Sequence, residues 1–149
     1  MKELRYFLIS AVLLVAIGCP YYIKHSPELA IETARKFSEV VFVKHDYSFG
    51  LEFVSKRRDE EFTEVALKQL VEKMHPLGDY PKLVKALGYE LIPGSRIAKV
   101  YLEGLYGTSK SYDLIELEGD VSSGSGGYFV TGLYRRPEMF EVSSLYKPV

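Results

Sequence analysis

Residues 97–118, IAKVYLEGLYGTSKSYDLIELE, decide the fold class that the sequence predicts for this chain. Apolar side chains alternate with polar or larger ones from Ala98 to Leu102, which is typical of a strand with one face on a core. A tight connection is expected at residues 107–110, because glycine followed by small polar residues between two apolar runs favours a turn. Residues 111–118 then return as a second strand. The stretch therefore predicts an antiparallel β-hairpin.

Helices are predicted before this hairpin. Ser26 can cap free backbone N–H groups, Pro27 suits the first helical position and Glu28 favours the helix dipole, so a helix is expected to begin here and to end near residues 45–46. A short second helix or turn follows at residues 47–55. A third helix is expected from about residue 59 to residue 74, where Pro76 stops it. Its predicted buried stripe is Phe62, Val65, Ala66, Leu70 and Met74.

Strands are predicted on both sides of the hairpin, at residues 88–92 and 128–135. A loop rich in glycine and serine is expected at residues 119–127. Helices followed by a run of antiparallel strands are typical of an α+β fold with the helices on one face of the sheet. We therefore expect an α+β domain in which N-terminal helices pack on a curved antiparallel sheet, preceded by a hydrophobic N-terminal segment.

The order of these elements resembles the cystatin-like and nuclear-transport-factor-2-like cone. The resemblance covers Ser26 to about Arg136, and its carriers are the opening helix, Asp46–Tyr47 at the helix junction, and the hairpins Tyr101–Tyr112 and Leu117–Tyr128. It implies a concave sheet with an apolar pocket beneath the helices. Small bacterial lipoproteins carry domains of this kind.

The N-terminal segment has the pattern of an export signal. Residues 6–18 carry no charge and follow the basic residues Lys2 and Arg5, and a basic flank before a short apolar run is typical of a secretory signal. The run Ala16–Cys19 resembles the lipobox of bacterial lipoproteins, which implies a diacylglyceryl group on Cys19 and cleavage before it. An uncleaved anchor helix is the alternative, because the apolar stretch nearly reaches the length of a membrane span.

The predicted organisation has four parts. Residues 1–18 form a signal peptide or membrane anchor, residues 19–25 a tether, residues 26–136 the α+β cone-like domain, and residues 137–149 an irregular C-terminal tail. We expect the domain to lie outside the cytoplasm, attached to the membrane of the cell envelope through its N-terminus.

Composition and motifs argue against several function classes. The formal net charge is -1, and the basic run at residues 56–58 is followed at once by acids, so no basic surface for nucleic acid is expected. His25, His45 and His75 lack metal-ligand spacing and are expected to cap helices or remain solvated. The Gly124–Gly126 loop lacks a nucleotide-binding signature. No catalytic residue, metal or cofactor is predicted.

The most unusual feature of the composition is its 12 tyrosines. The cone fold resembles ketosteroid isomerase, in which a pocket tyrosine and carboxylates perform acid–base chemistry. By strand position, the candidates for a ligand pocket are Tyr89, Tyr101, Glu103, Tyr112, Asp113 and Tyr128. A sheet also uses tyrosines simply to fill half-buried positions.

Three functions remain open. We expect a non-enzymatic binding or scaffolding domain that recognises another envelope protein through its sheet. The alternatives are a domain that binds a small hydrophobic ligand in the pocket of the cone, and an isomerase-like enzyme that uses a pocket tyrosine and carboxylate. A concavity of about 300 Å³ or more favours the second and third functions over the first.

Overall fold

The computed structural model describes residues 25–54, 63–120 and 127–149. The predicted export signal, the lipobox with Cys19 and nearly all of the tether therefore lie outside the described residues, as do the start of the third predicted helix and the centre of the glycine-rich loop. No helix within the three described ranges has the length and apolar character needed to cross a bilayer.

The chain folds as an α+β domain, as the sequence predicts. The helices are α1 (Pro27–Ser38), α2 (Tyr47–Gly50) and α3 (Glu64–Met74), with a π-helical turn at Glu39–Val43 and a 3₁₀ turn at Leu51–Phe53. The strands are β1 (Leu83–Leu91), β2 (Ile97–Tyr106), β3 (Ser109–Gly119), β4 (Tyr128–Arg136) and β5 (Lys147–Pro148). They form an open antiparallel sheet in the order β4-β3-β2-β1-β5.

Side-chain caps explain where the three helices begin. The Ser26 side chain accepts a hydrogen bond from the amide of Leu29, as predicted, and Asp46 and Thr63 cap α2 and α3 in the same way. Such caps satisfy backbone N–H groups that have no partner within the helix.

The first helix ends earlier than predicted. Regular α-helix stops at Ser38, and the chain continues as a π-helical turn before His45 adopts a positive φ of 56°. The turn contains three valines, and β-branched side chains lose rotamer freedom in a helix. A residue in the left-handed region is a common helix terminator.

The core lies between α1 and one face of the sheet, which we call the inner face. Ala30, Ala34 and Phe37 from α1 are fully or almost fully buried, and they meet buried apolar side chains of β2, β3 and β4. The sheet contributes Ala98, Val100, Leu102, Ile115, Leu117 and Val130. Burying one large apolar side chain contributes about 1.5–3 kcal/mol, so this layer supplies most of the driving force for folding.

The predicted stripe of α3 is wrong in two places. Val65 is 62% exposed and Leu70 is 36% exposed, whereas Leu67 and Val71 are buried. The error arises because Val65, Ala66 and Leu70 also lie at helical spacing, and periodicity alone does not decide which of two adjacent rows meets the core. Leu70 consequently faces a gap between α3 and the sheet.

The opposite, outer face of the sheet is partly covered by the C-terminal segment. Strand β5 pairs with β1, and the hydroxyl of Tyr146 donates a hydrogen bond to the carbonyl of Leu87 at 3.0 Å. Gly88 makes this possible, because a Cβ at this position would collide with the Tyr146 ring. The segment that the sequence describes only as a tail therefore includes a short strand.

Candidate functional site

The six residues predicted to line one pocket are divided between the two faces of the sheet. Tyr101, Glu103 and Tyr112 lie on the outer face, as the strand register shows. Tyr89, Asp113 and Tyr128 lie on the inner face; Asp113 is 0% exposed. The structure therefore does not bring the six together into a single pocket.

On the outer face, Tyr101 helps to hold the C-terminal segment. Its hydroxyl donates a hydrogen bond to Glu90 Oε1 at 2.8 Å, and the amide of Ser143 donates to the same oxygen at 2.9 Å. Burial opposes ionisation of Glu90, but these hydrogen bonds hold its pKa below the usual value. Burial and the Glu90 carboxylate raise the pKa of Tyr101. This tyrosine is therefore a structural donor.

The other two outer-face residues lie closer to solvent. Glu103 accepts a hydrogen bond from Lys110 Nζ at 3.0 Å, which joins β2 to β3 near their shared turn. Tyr112 pairs with Glu103 in the sheet register and is partly exposed.

Tyr128 fastens the start of the domain to the inner face. Its hydroxyl accepts a hydrogen bond from the amide of Ser26 at 3.1 Å and contacts Nδ1 of His25 at 3.0 Å. His25 Nε2 lies 2.9 Å from the carbonyl oxygen of Ser95. A neutral ring that donates from Nε2 and accepts at Nδ1 satisfies both contacts. Burial raises the pKa of Tyr128, so its hydroxyl stays protonated.

The strongest polar contact of the inner face joins Asp113 on β3 to Arg135 on β4. Arg135 Nε donates to Asp113 Oδ1 at 2.7 Å, and Nη2 donates to Oδ2 at 2.8 Å. This bidentate geometry is the strongest arrangement that the two side chains can form. The guanidinium also lies 5.0 Å from the centroid of the Phe42 ring, where a cation–π contact adds to its stabilisation.

His75 completes this group of charged and aromatic side chains. It directly follows α3, is almost fully buried, and accepts a hydrogen bond from Arg135 Nη1. Its Nδ1 lies 3.2 Å from the carbonyl oxygen of Asp79, and its ring stacks on Tyr80 at 4.5 Å. A neutral ring that donates from Nδ1 and accepts at Nε2 fits both polar contacts. Burial and the nearby Arg135 charge lower the pKa of His75.

Sequence reasoning missed both Arg135 and the role of His75. Because His75 follows the last turn of α3, it was expected to cap the helix or remain solvated; it is the C-cap residue of α3, but it is buried and not solvated. Strict alternation from Tyr128 and Val130 places position 135 on the outer face, and only the register irregularity between Glu116 and Leu117 turns Arg135 to the inner face opposite Asp113.

A cleft of about 580 Å³ opens beside Arg135, between the end of α3 and the ends of β3 and β4. Its apolar wall includes Leu70, Met74 and Leu133, and its charged residues are Lys73, Asp79, Lys110, Arg135 and Arg136. Ser111 also lines it. The volume lies in the range of small-molecule sites.

A second cavity, of about 230 Å³, lies further along the same gap, and its lining is mainly apolar. Phe37, Leu67 and Val130 belong to its wall, and Leu70 and Leu133 line both cavities. We call the two cavities together the α3–β4 seam. The seam runs from an apolar end near Leu67 to a charged end near Lys73.

Within the described ranges, no group of three or more histidine, cysteine, aspartate or glutamate side chains is arranged to hold a metal ion. Comparisons of this chain with protein-family models, curated proteins and solved structures give no match.

The burial of His75 leads to a pH-dependent stability. Its pKa is lower in the folded chain than the ordinary value of about 6.5 that applies on unfolding. The unfolded chain therefore binds a proton at this histidine more readily than the folded chain does. Above a pH of about 6.5 the stability contributed by neutral His75 is fully present, and the free energy of unfolding falls as the pH drops below that value. Glutamine at this position retains an acceptor for Arg135 without titrating.

We expect His75→Gln to lose less stability than the wild type between pH 7.5 and pH 5.5, as measured by urea unfolding. His45→Gln, which changes an exposed histidine, is the matched control and should behave as the wild type. An equal loss in the wild type and His75→Gln would show that His75 does not titrate on unfolding.

Proposed function

We propose that this chain is a non-enzymatic binding domain that holds a small, largely apolar ligand in the α3–β4 seam. The observation that carries the proposal is the gap itself: Leu70 on α3, which is 36% exposed, and Leu133 on β4 line both cavities between the helix and the sheet. A well-packed interior has few voids larger than a water molecule, so a gap of this size between two elements is typical of a binding site.

The cleft favours ligand binding over the scaffolding role expected from the sequence. Scaffolding through the sheet requires a free apolar surface on its outer face. The centre of that face is occupied, because Phe140 and Tyr146 pack edge-on against Tyr101. The exposed apolar side chains Leu83 and Tyr134 lie on strands β1 and β4, separated by two other strands.

Binding is also favoured over isomerase-like catalysis. Both oxygens of Asp113 accept hydrogen bonds from Arg135, so this carboxylate is engaged as an ion-pair partner and is not poised as a base. Tyr101 and Glu103 lie on the other face of the sheet. A tyrosine–carboxylate pair of the kind that the resemblance implies is thus not assembled from these three residues.

The cone-like shape is part of the same proposal. It is supported by the order of the elements, with helices before an antiparallel sheet, and by a cavity between a helix and the inner face of that sheet.

Ligand binding in the seam can be tested by filling it. Leu70→Trp adds a bulky ring where both cavities meet, and the chain contains no other tryptophan, so indole fluorescence also reports on the site. Wild-type protein should bind the neutral apolar dye N-phenyl-1-naphthylamine saturably at one site. We expect Leu70→Trp to weaken binding by about tenfold or more, because the ring occupies the space of the dye.

The matched control is Val65→Trp, which places the same ring on the solvent side of the same helix. Its affinity should stay within about twofold of the wild type. Absence of saturable binding, or equal weakening by the two variants, would contradict the proposed function.

The proposal also includes attachment to the cell envelope, supported by the sequence pattern around Cys19. Two acyl chains, at about 0.8 kcal/mol per buried methylene, give stable anchoring. When the full-length chain is expressed in bacteria fed with a radioactive fatty acid, the wild type should be labelled and Cys19→Ala should not. Equal labelling of the two would contradict lipid attachment at Cys19. If the Cys19→Ala variant remains in the membrane fraction, the uncleaved anchor helix is favoured.

A further inference from the structure

We infer that the ligand of the α3–β4 seam is a single-chain amphiphile with an anionic head, and that the head lies at Lys73 and Ser111. This inference rests on the proposed function and adds the chemical class of the ligand. It follows from three properties of the seam: an apolar end, a charged end with surplus positive charge, and a buried hydroxyl that has no hydrogen-bond partner within the part of the chain that the structure describes.

The apolar end sets the position of the chain. The smaller cavity lies among Phe37, Leu67 and Val130, and it joins the larger cleft at Leu70 and Leu133. Both α3 and β4 run along the seam in the same direction, from Leu67 to Met74 and from Val130 to Arg136. The binding volume is therefore elongated, and a hydrocarbon chain fits its apolar part with its polar end at the wider mouth.

The charge at that mouth favours an anion. Arg135 is neutralised by Asp113, and Lys110 pairs with Glu103. Lys73 and Arg136 line the same cleft and form no ion pair with any residue in the described ranges, while Asp79 is the one carboxylate in the lining. Two cations against one acid leave a surplus of positive charge.

Ser111 supplies the second, independent observation. Its side chain is 6% exposed, it lines the cleft, and its Oγ has no hydrogen-bond partner among the described residues. A buried hydroxyl without a partner is unfavourable, and native structures seldom retain one without a reason. The hydroxyl hydrogen of a serine turns to suit its partner, so Ser111 can donate to a carboxylate or phosphate oxygen that comes within hydrogen-bond distance of its Oγ.

Either a free fatty acid or a lipid with a phosphate head group has this chemistry. The test therefore uses dodecanoate, dodecyl phosphate, dodecanol and dodecyltrimethylammonium, each measured by displacement of N-phenyl-1-naphthylamine from the wild-type chain. We expect at least one anion to bind about tenfold more tightly than the alcohol and the cation. The anion that binds more tightly identifies the head group as a carboxylate or a phosphate. Either result supports an anionic head.

Two pairs of variants locate the head. Lys73→Glu should lower the affinity for the tighter anion by about tenfold, whereas Lys68→Glu, which makes the same charge change on the same helix outside the cleft, should lower it by less than about twofold. Ser111→Ala should weaken anion binding about fivefold without lowering the midpoint of thermal unfolding, because the hydroxyl has no hydrogen-bond partner among the described residues of the free protein. Ser109→Ala, on an exposed position of the same strand, is its control.

The outcomes separate this inference from the proposed function. Dye binding that depends on Leu70, together with equal affinities for dodecanoate, dodecyl phosphate and dodecanol, would overturn the anionic head and leave the binding function intact. Equal effects of Lys73→Glu and Lys68→Glu would overturn the position of the head. Failure of the dye itself to bind would remove the seam as a site altogether.

Discussion

The buried ion pair between Asp113 and Arg135 is the interaction on which the rest of the structure depends. Asp113 is fully buried and the Arg135 side chain is only 11% exposed, so the pair is largely removed from water; this is costly, and the bidentate geometry with a hydrogen bond to His75 compensates for that cost. Loss of one partner would leave the other charge buried and would cost about 3–5 kcal/mol. The pair therefore fixes β4 against β3 at the end of the sheet where the cleft opens.

Arg135 of the same pair lines the charged end of the gap between α3 and β4. His75 holds the C-terminal end of the helix to Arg135. Near the other end, Gly50 brings α2 close to the helix, since a Cβ there would lie 2.6 Å from Val41 Cγ2 and 3.1 Å from Leu67 Cδ2. Between these two points Leu67 and Val71 pack into the core, and Leu70, on the adjacent row of the helix, lines the space above β4. An envelope tether at Cys19, as proposed, would hold such a cavity near a membrane whose lipids have the amphiphilic chemistry inferred for the ligand.

The elements that the sequence predicted well are those governed by local rules. The alternation of Ala98, Val100 and Leu102 depends on the twofold period of a strand, and the cap at Ser26 depends on its nearest neighbours. Strand β1 was predicted only in part, because a bulge between Ala86 and Gly88 interrupts its alternation.

The candidate site was harder to predict, because it depends on long-range register. Six polar residues were assigned to one pocket, although neighbours such as Tyr112 and Asp113 must point to opposite faces. Arg135 lies opposite Asp113 only because β3 and β4 are offset by an irregularity between Glu116 and Leu117. Neither the bulge nor the burial of His75 has a signature within a short window of sequence. The seam itself is a gap between a helix and the sheet, and the periodicity of the helix does not report such a gap.

The most direct test of the ligand-filled seam is a measurement of intermolecular nuclear Overhauser effects between the methyl groups of the protein and a bound dodecyl chain. The account predicts contacts from the chain to the methyl groups of Leu70, Leu133 and Val130, with the polar end of the ligand nearest Lys73. Contacts confined to the outer face, near Leu114 or Tyr134, or no contacts at saturating ligand, would contradict it.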